Sequence, residues 1–225
     1  MPDNGPTQTC KQCGTCCRKG GPSFHTEDKP LLDKGSIPLA YLFTIRKGEP
    51  VHENVKGGLT AAKTDIIKIK GKGSSWTCLF LDENDNACTI YENRPLECRE
   101  LTCWDTRKIE AMYEKNRLSR SELLSRVEGI WALVTHHQDR CSYEKLNAFS
   151  VEARNDIHGK AAESILEMVR YDAHLREVVV EKGGLGSGMT AFLFGRPLFQ
   201  TIQGFGLKAA VDLASLYPCK RSIQV

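Results

Sequence analysis

Eight of the ten cysteines in this 225-residue chain fall in two short segments, and that placement constrains the fold more than any other feature. The first segment reads Cys10-Lys11-Gln12-Cys13-Gly14-Thr15-Cys16-Cys17-Arg18. The second carries Cys78, Cys88, Cys98 and Cys103. From Thr7 to Pro22 there is no Leu, Ile, Val or Phe. Burial there cannot offset the ~1–2 kcal/mol per residue that ordering a backbone costs. Either disulfides or metal ligation must order this stretch, and structural zinc supplies about 10–16 kcal/mol in peptides.

The redox compartment separates those two options. The sequence MPDNGPTQTC lacks the charged-then-apolar pattern of a signal peptide, and no apolar run reaches the ~20 residues of a membrane helix. The chain therefore reads as cytoplasmic and not membrane-embedded, a setting in which thiols stay reduced and disulfides are rare. A net charge of +3 and a pI near 8.3, with no long basic run, give no argument for nucleic acid. Metal is the preferred reading. Thiolates suit zinc, copper(I) and iron–sulfur clusters. Three cysteines at steps of three (Cys10, Cys13, Cys16) let one loop wrap the corners of a cubane, as in ferredoxin-type runs, with Gly14 free to adopt positive φ. Zinc sites more often use two separated Cys-x-x-Cys pairs. Adjacent Cys16 and Cys17 are expected to point apart and serve different roles.

The periodicity predicts an α+β chain, with a small cysteine-rich metal-binding half containing a β-hairpin and then a mostly helical C-terminal half. The division expected is 1–110 and 111–225, the second part holding a Gly-rich loop near 183–188. Thr26–Asp33 reads as a short helix and Ile66–Lys70 as a strand. Trp76–Leu81 and Ala87–Tyr91 read as strands joined by a polar loop, which sets Cys78 and Cys88 opposite or within about two positions. Pro95 opens a helix bearing Cys98; on an unbroken helix Cys103 would sit about 140° away, so either the helix breaks near Leu101 or the two face different sites. One helix is expected after Ser119 or Ser121, a second from Val151 or Lys160 to Val180, and a last from Phe205 to Leu216.

The two cysteine segments, CKQCGTCCR and SWTCLFLDENDNACTIYENRPLECRELTCW, resemble the CxxCxxCC family, the YkgJ-like cysteine-cluster proteins. The resemblance spans about residues 10–104. It implies chelation of zinc or iron without naming a reaction. Carried over by position, the metal ligands would be Cys10, Cys13, Cys16, Cys17, Cys78, Cys88 and Cys98, with Cys103 added to complete eight. A related cysteine cluster in the flagellin lysine-N-methylases implies an alternative, an S-adenosylmethionine-dependent protein methyltransferase. A third reading is a zinc-stabilised interaction protein whose helical half docks a protein partner. The leading expectation is a metal-binding protein holding an iron–sulfur cluster, of 4Fe–4S type, or zinc, for redox or metal-dependent chemistry. The two segments are expected to meet in space.

The remaining candidates have plainer readings. Arg18, Arg94 and Arg99 flank the cysteines and could offset negative charge there, although pairing with Glu92, Glu97 or Glu100 is the expectation. Trp76, Trp104 and Tyr91 are expected to shield the metal. His136, His137 and Cys141 look like a metal patch, His137 and Cys141 lying on one helix face, yet histidines near a helix end commonly serve its dipole. His25 is a similar minor candidate, and Cys219 is taken as incidental. The stretch Gly183–Gly188 lacks the spacing of a dinucleotide fingerprint and reads as a loop.

Overall fold

The computed structural model describes residues 10–53, 55 and 57–206. It is an α+β protein: three small antiparallel β-pairs occupy the first half and helices dominate the second. The expected helix over Phe205–Leu216, and Cys219, lie almost wholly outside the described residues.

Strand β1 (Leu42–Ile45) pairs with β4 (Ile66–Ile69), Thr44 facing Ile67. Between them β2 (Pro50–His52) and β3 (Leu59–Ala61) form an exposed ribbon. Alternation in β4 sends Ile67 and Ile69 into a core with Phe24, Ile37, Leu42 and Leu118. That core is completed from far along the chain by Phe192, Leu193 and Phe194 of α9 (Met189–Phe194), so it draws on both sides of residue 110.

Two helices replace the one expected after Ser119. Ser119 caps α5 (Arg120–Leu124) through a capping box with Glu122, and α6 (Glu128–Arg140) starts anew after a turn. Arg120 anchors α5: its buried guanidinium donates to Asp65 at 2.7 Å, to the Leu193 carbonyl and to Gln138 of α6 at 3.3 Å. Likewise α7 (Tyr143–Ala153) and α8 (Lys160–Glu181) are distinct, split at an Asp156 turn and Gly159. Ala161, Ile165, Met168, Asp172 and Val179 are the buried positions of α8, at helical spacing. With Leu146, Leu198 and Ile202, the first three of these build a second core. Among the described residues no helix is long and apolar enough to cross a membrane.

Candidate metal centre

The first cysteine segment is organised by one glycine and one arginine. Gly14 has φ +71° and caps the single-turn helix α1 (Thr15–Arg18), which carries Cys16 and Cys17. A Cβ at Gly14 would lie 2.7 Å from Arg18 Nη1 and 3.3 Å from Leu81 Cδ1, so the glycine serves both its conformation and a close approach. Arg18 reaches back to the Cys13 carbonyl at 3.1 Å and donates to the side-chain oxygen of Asn86. No residue of α1 is buried. The backbone N–H of Cys78 completes the junction by donating to the Cys17 carbonyl at 2.8 Å. The two cysteine segments meet in space.

The second segment is less regular than its strand-like composition suggests. Strands β5 (Leu81–Asp82) and β6 (Ala87–Cys88) are two residues each, and Cys88 pairs with Leu81. Cys78 stands before a tight turn closed by Leu81 N–H to the Cys78 carbonyl at 3.0 Å. The predicted strand from Trp76 is therefore a turn, because Cys78 gives its backbone to Gly71 and Cys17 rather than to a hairpin partner. Helix α3 (Leu96–Glu100) carries Cys98 and ends where Leu101 becomes extended. Cys103 consequently sits exposed beyond it, in the turn that joins Thr102 to Asp105.

Two acids hold α3 in place, a role that nothing in the local sequence marks. Asp28, fully buried, accepts from the N–H of Leu96 at 2.7 Å and of His25 at 3.0 Å. Glu97 accepts from the Ser23 N–H at 2.6 Å and faces His25 Nε2 at 3.3 Å and Arg117 at 3.9 Å. Both nitrogens of His25 meet acceptors, Glu97 and the Lys115 carbonyl. Burial opposes the imidazolium, but these two acceptors prevail and raise its pKa. His25 is thus a structural clamp, with no ring nitrogen left for a metal.

The thiols feel one another. Cys16 Sγ lies 4.0 Å from Cys17 Sγ, so the adjacent pair turns together on α1 instead of pointing apart. A hydrogen bond from Cys17 holds the Cys16 thiol well below its usual range, with the charge of Arg94 assisting, while Cys17 is driven up correspondingly. Burial raises Cys98, and the charges of Cys78, Cys88 and Cys16 raise it further. Burial likewise raises Cys78, with Cys88 and Cys16 adding to the effect. Thr15 lowers Cys13 through its hydroxyl at 3.2 Å, and Cys16 is near enough to oppose this. Cys10 is exposed at the outer end. All nine described cysteines are free thiols. Neighbouring thiolate charge raises Cys17, Cys78 and Cys98, so a cation among them favours ionisation, and a soft metal is the cation that thiolates prefer. The donor set fits zinc or iron.

Other expectations resolve differently. Arg99 lies 3.9 Å from Asp28, Glu97 engages His25 and Arg117, and Glu100 engages Lys108, so none of the expected Arg–Glu pairs forms. Trp76 and Trp104 are 62% and 45% exposed and do not seal the site, while Tyr91 carries the guanidinium of Arg94 at 3.5 Å. In the helical half, ligand atoms of His137, Cys141 and Asp172 lie within 4.8 Å of one another, all buried. Asp172 already accepts from His137, Arg176 and the Leu198 N–H, which makes the group a hydrogen-bonded clamp between α6 and α8. The Gly-rich stretch closes α8, Gly183 and Leu185 donating back to its last carbonyls. A cleft of about 600 Å³ opens between the β2–β3 ribbon and α7, lined by Lys47, Thr60, Tyr143, Asn147 and Arg154 among others, and no cysteine lines it.

A free-thiol cluster held by a small α+β scaffold defines a class of cysteine-rich metal-chelating proteins. Residues 9–122, just over half of the chain, match the model of one such family, CxxCxxCC, described as "Putative zinc- or iron-chelating domain". The chain belongs to the CxxCxxCC family. No curated protein and no solved structure matches it.

Proposed function

We propose that the protein holds one metal centre between its two cysteine segments, an iron–sulfur cluster of 4Fe–4S type, and acts in the cytoplasm in redox or metal-dependent chemistry. Cys16, Cys17, Cys78, Cys88 and Cys98 form the inner set. A 4Fe–4S cluster takes four cysteine ligands, which that inner set would supply, and the exposed Cys10, Cys13 and Cys103 would stand as supporting thiols. The observation that carries this reading is the junction of Cys17 with Cys78, which brings the four-thiol first segment against the second. A bound cluster would supply one-electron chemistry or, as zinc, a structural tether. The chain's own part is to hold the ligands, with Arg18 and Asn86 fixing the first segment, and Asp28 and Glu97 fixing α3.

The test is metal and acid-labile sulfide analysis of protein purified without oxygen. Iron with matching sulfide and absorbance near ~400 nm is expected. Zinc without sulfide would reassign the centre as a structural zinc site and favour the interaction-protein reading. Neither metal would overturn chelation. The methyltransferase alternative gains nothing from the Gly-rich stretch, whose backbone closes a helix.

A further inference from the structure

Three arginines lie beside the cysteines, and the structure gives them different work. Arg18 spends its terminal nitrogens on the Cys13 carbonyl and Asn86. Arg99 faces the carboxylate of Asp28. Arg94 is the exception. Its Nε donates to the Tyr91 carbonyl at 2.8 Å and its guanidinium lies 3.5 Å from the centre of the Tyr91 ring. Among the described residues its terminal nitrogens have no acceptor and no carboxylate pairs with it.

That arrangement fixes a charge without neutralising it. Tyr91–Asn93 forms one 3-10 turn on the short link between Cys88 of β6 and Cys98 of α3, and Arg94 ends that turn. The aromatic face and the carbonyl hold the guanidinium at the link between two thiol-bearing elements, Cys88 of β6 and Cys98 of α3. An arginine that needed only solvation would not be pinned at two points, and one serving a salt bridge would have a carboxylate.

We propose that Arg94 is the fixed counter-charge of the cysteine centre, a positioning residue that favours a bound centre of net negative charge. Four thiolates around a divalent ion carry −2, and a fixed opposite charge beside a partly buried site stabilises that state. This rests on the chelation reading, and its test separates the two. Zinc alone is the probe, titrated into the reduced, metal-free full chain against a chromophoric competitor. Wild type, Arg94→Met and Arg94→Lys are compared at one pH in low and high salt. Arg94→Met is expected to weaken zinc binding about ten-fold at low salt, while Arg94→Lys stays within about two-fold. The Met deficit should shrink near ~1 M salt, where screening acts over ~3 Å. Arg94→Met binding as wild type does, or Arg94→Lys losing as much as Arg94→Met, would overturn the proposal, the second outcome marking a purely structural role for the Tyr91 contact. Wild type that binds no zinc would instead strike the chelation reading itself.

Discussion

The amide N–H of Cys78 donates to the carbonyl of Cys17 over 2.8 Å, tying two residues that lie sixty-one positions apart in the chain. That bond is a backbone contact, so it orders the junction without using either thiol. It leaves both sulfurs for a metal, and it makes the order of the first segment depend on the second. The same dependence makes the effect of metal measurable.

Metal removal should loosen the cysteine half selectively. Helix α1 buries no residue, whereas α6, α7 and α8 bury apolar side chains in two cores. Chelation, or Cys13→Ser, is expected to lower hydrogen-exchange protection over residues 10–22 and 76–104 and to leave α6 and α8 protected. Unchanged protection in the first two stretches would mean that the cysteines organise nothing.

Glu97→Gln should destabilise the fold by about 2 kcal/mol, since it removes the charge facing His25 and Arg117 while keeping an acceptor for Ser23. Urea denaturation with an unchanged slope would report it. A variant as stable as wild type would show that the acid is dispensable to the packing of α3.

Acid should weaken the protein first through His137. Burial pushes this imidazole down to about 4, with Arg46 and Arg176 adding to the effect against the pull of Asp172. The native state keeps it neutral, while the unfolded chain takes up a proton near the ordinary 6.5. Stability is therefore complete above about pH 6.5 and is lost as pH falls toward 4, by up to about 3 kcal/mol. Asp172, held below its ordinary range despite burial by His137 and Arg176, extends the loss further down. Denaturation at several pH values should show the slope, and His137→Gln should flatten it between pH 6.5 and 4. An equal slope in that variant would place the sensitivity elsewhere.

Gly14→Ala should cost about 1–2 kcal/mol locally, because φ +71° is unfavourable for a side chain and the new Cβ would crowd Arg18 and Leu81. Zinc affinity should fall with it, measured by competition. Unaltered affinity would show that α1 forms equally well in another conformation.

Local signals in the sequence carried much of this architecture. The cysteine spacing marked both segments of the candidate site. Gly14 announced a positive-φ turn, Ser119 was one of two serines marked as a helix cap, and the apolar spacing of α8 marked its buried face. Each of these depends on residues within about one turn of one another, which is why composition and period suffice to find them.

Tertiary structure decided what such patterns leave open. Trp76 to Phe80 has strand-forming residues, yet the backbone of Cys78 is claimed by Gly71 and Cys17, so the chain turns there. One apolar stripe after Ser119 became two helices, and the first is anchored where Arg120 meets Asp65, fifty-five residues away. Asp28 and Glu97 look like surface acids until Leu96, Ser23 and His25 arrive to satisfy them. A charge enters a protein interior only where its partners already stand, and those partners come from distant parts of the chain. Their placement is therefore a property of the assembled fold, while the sequence by itself determines the short-range turns, caps and helical faces.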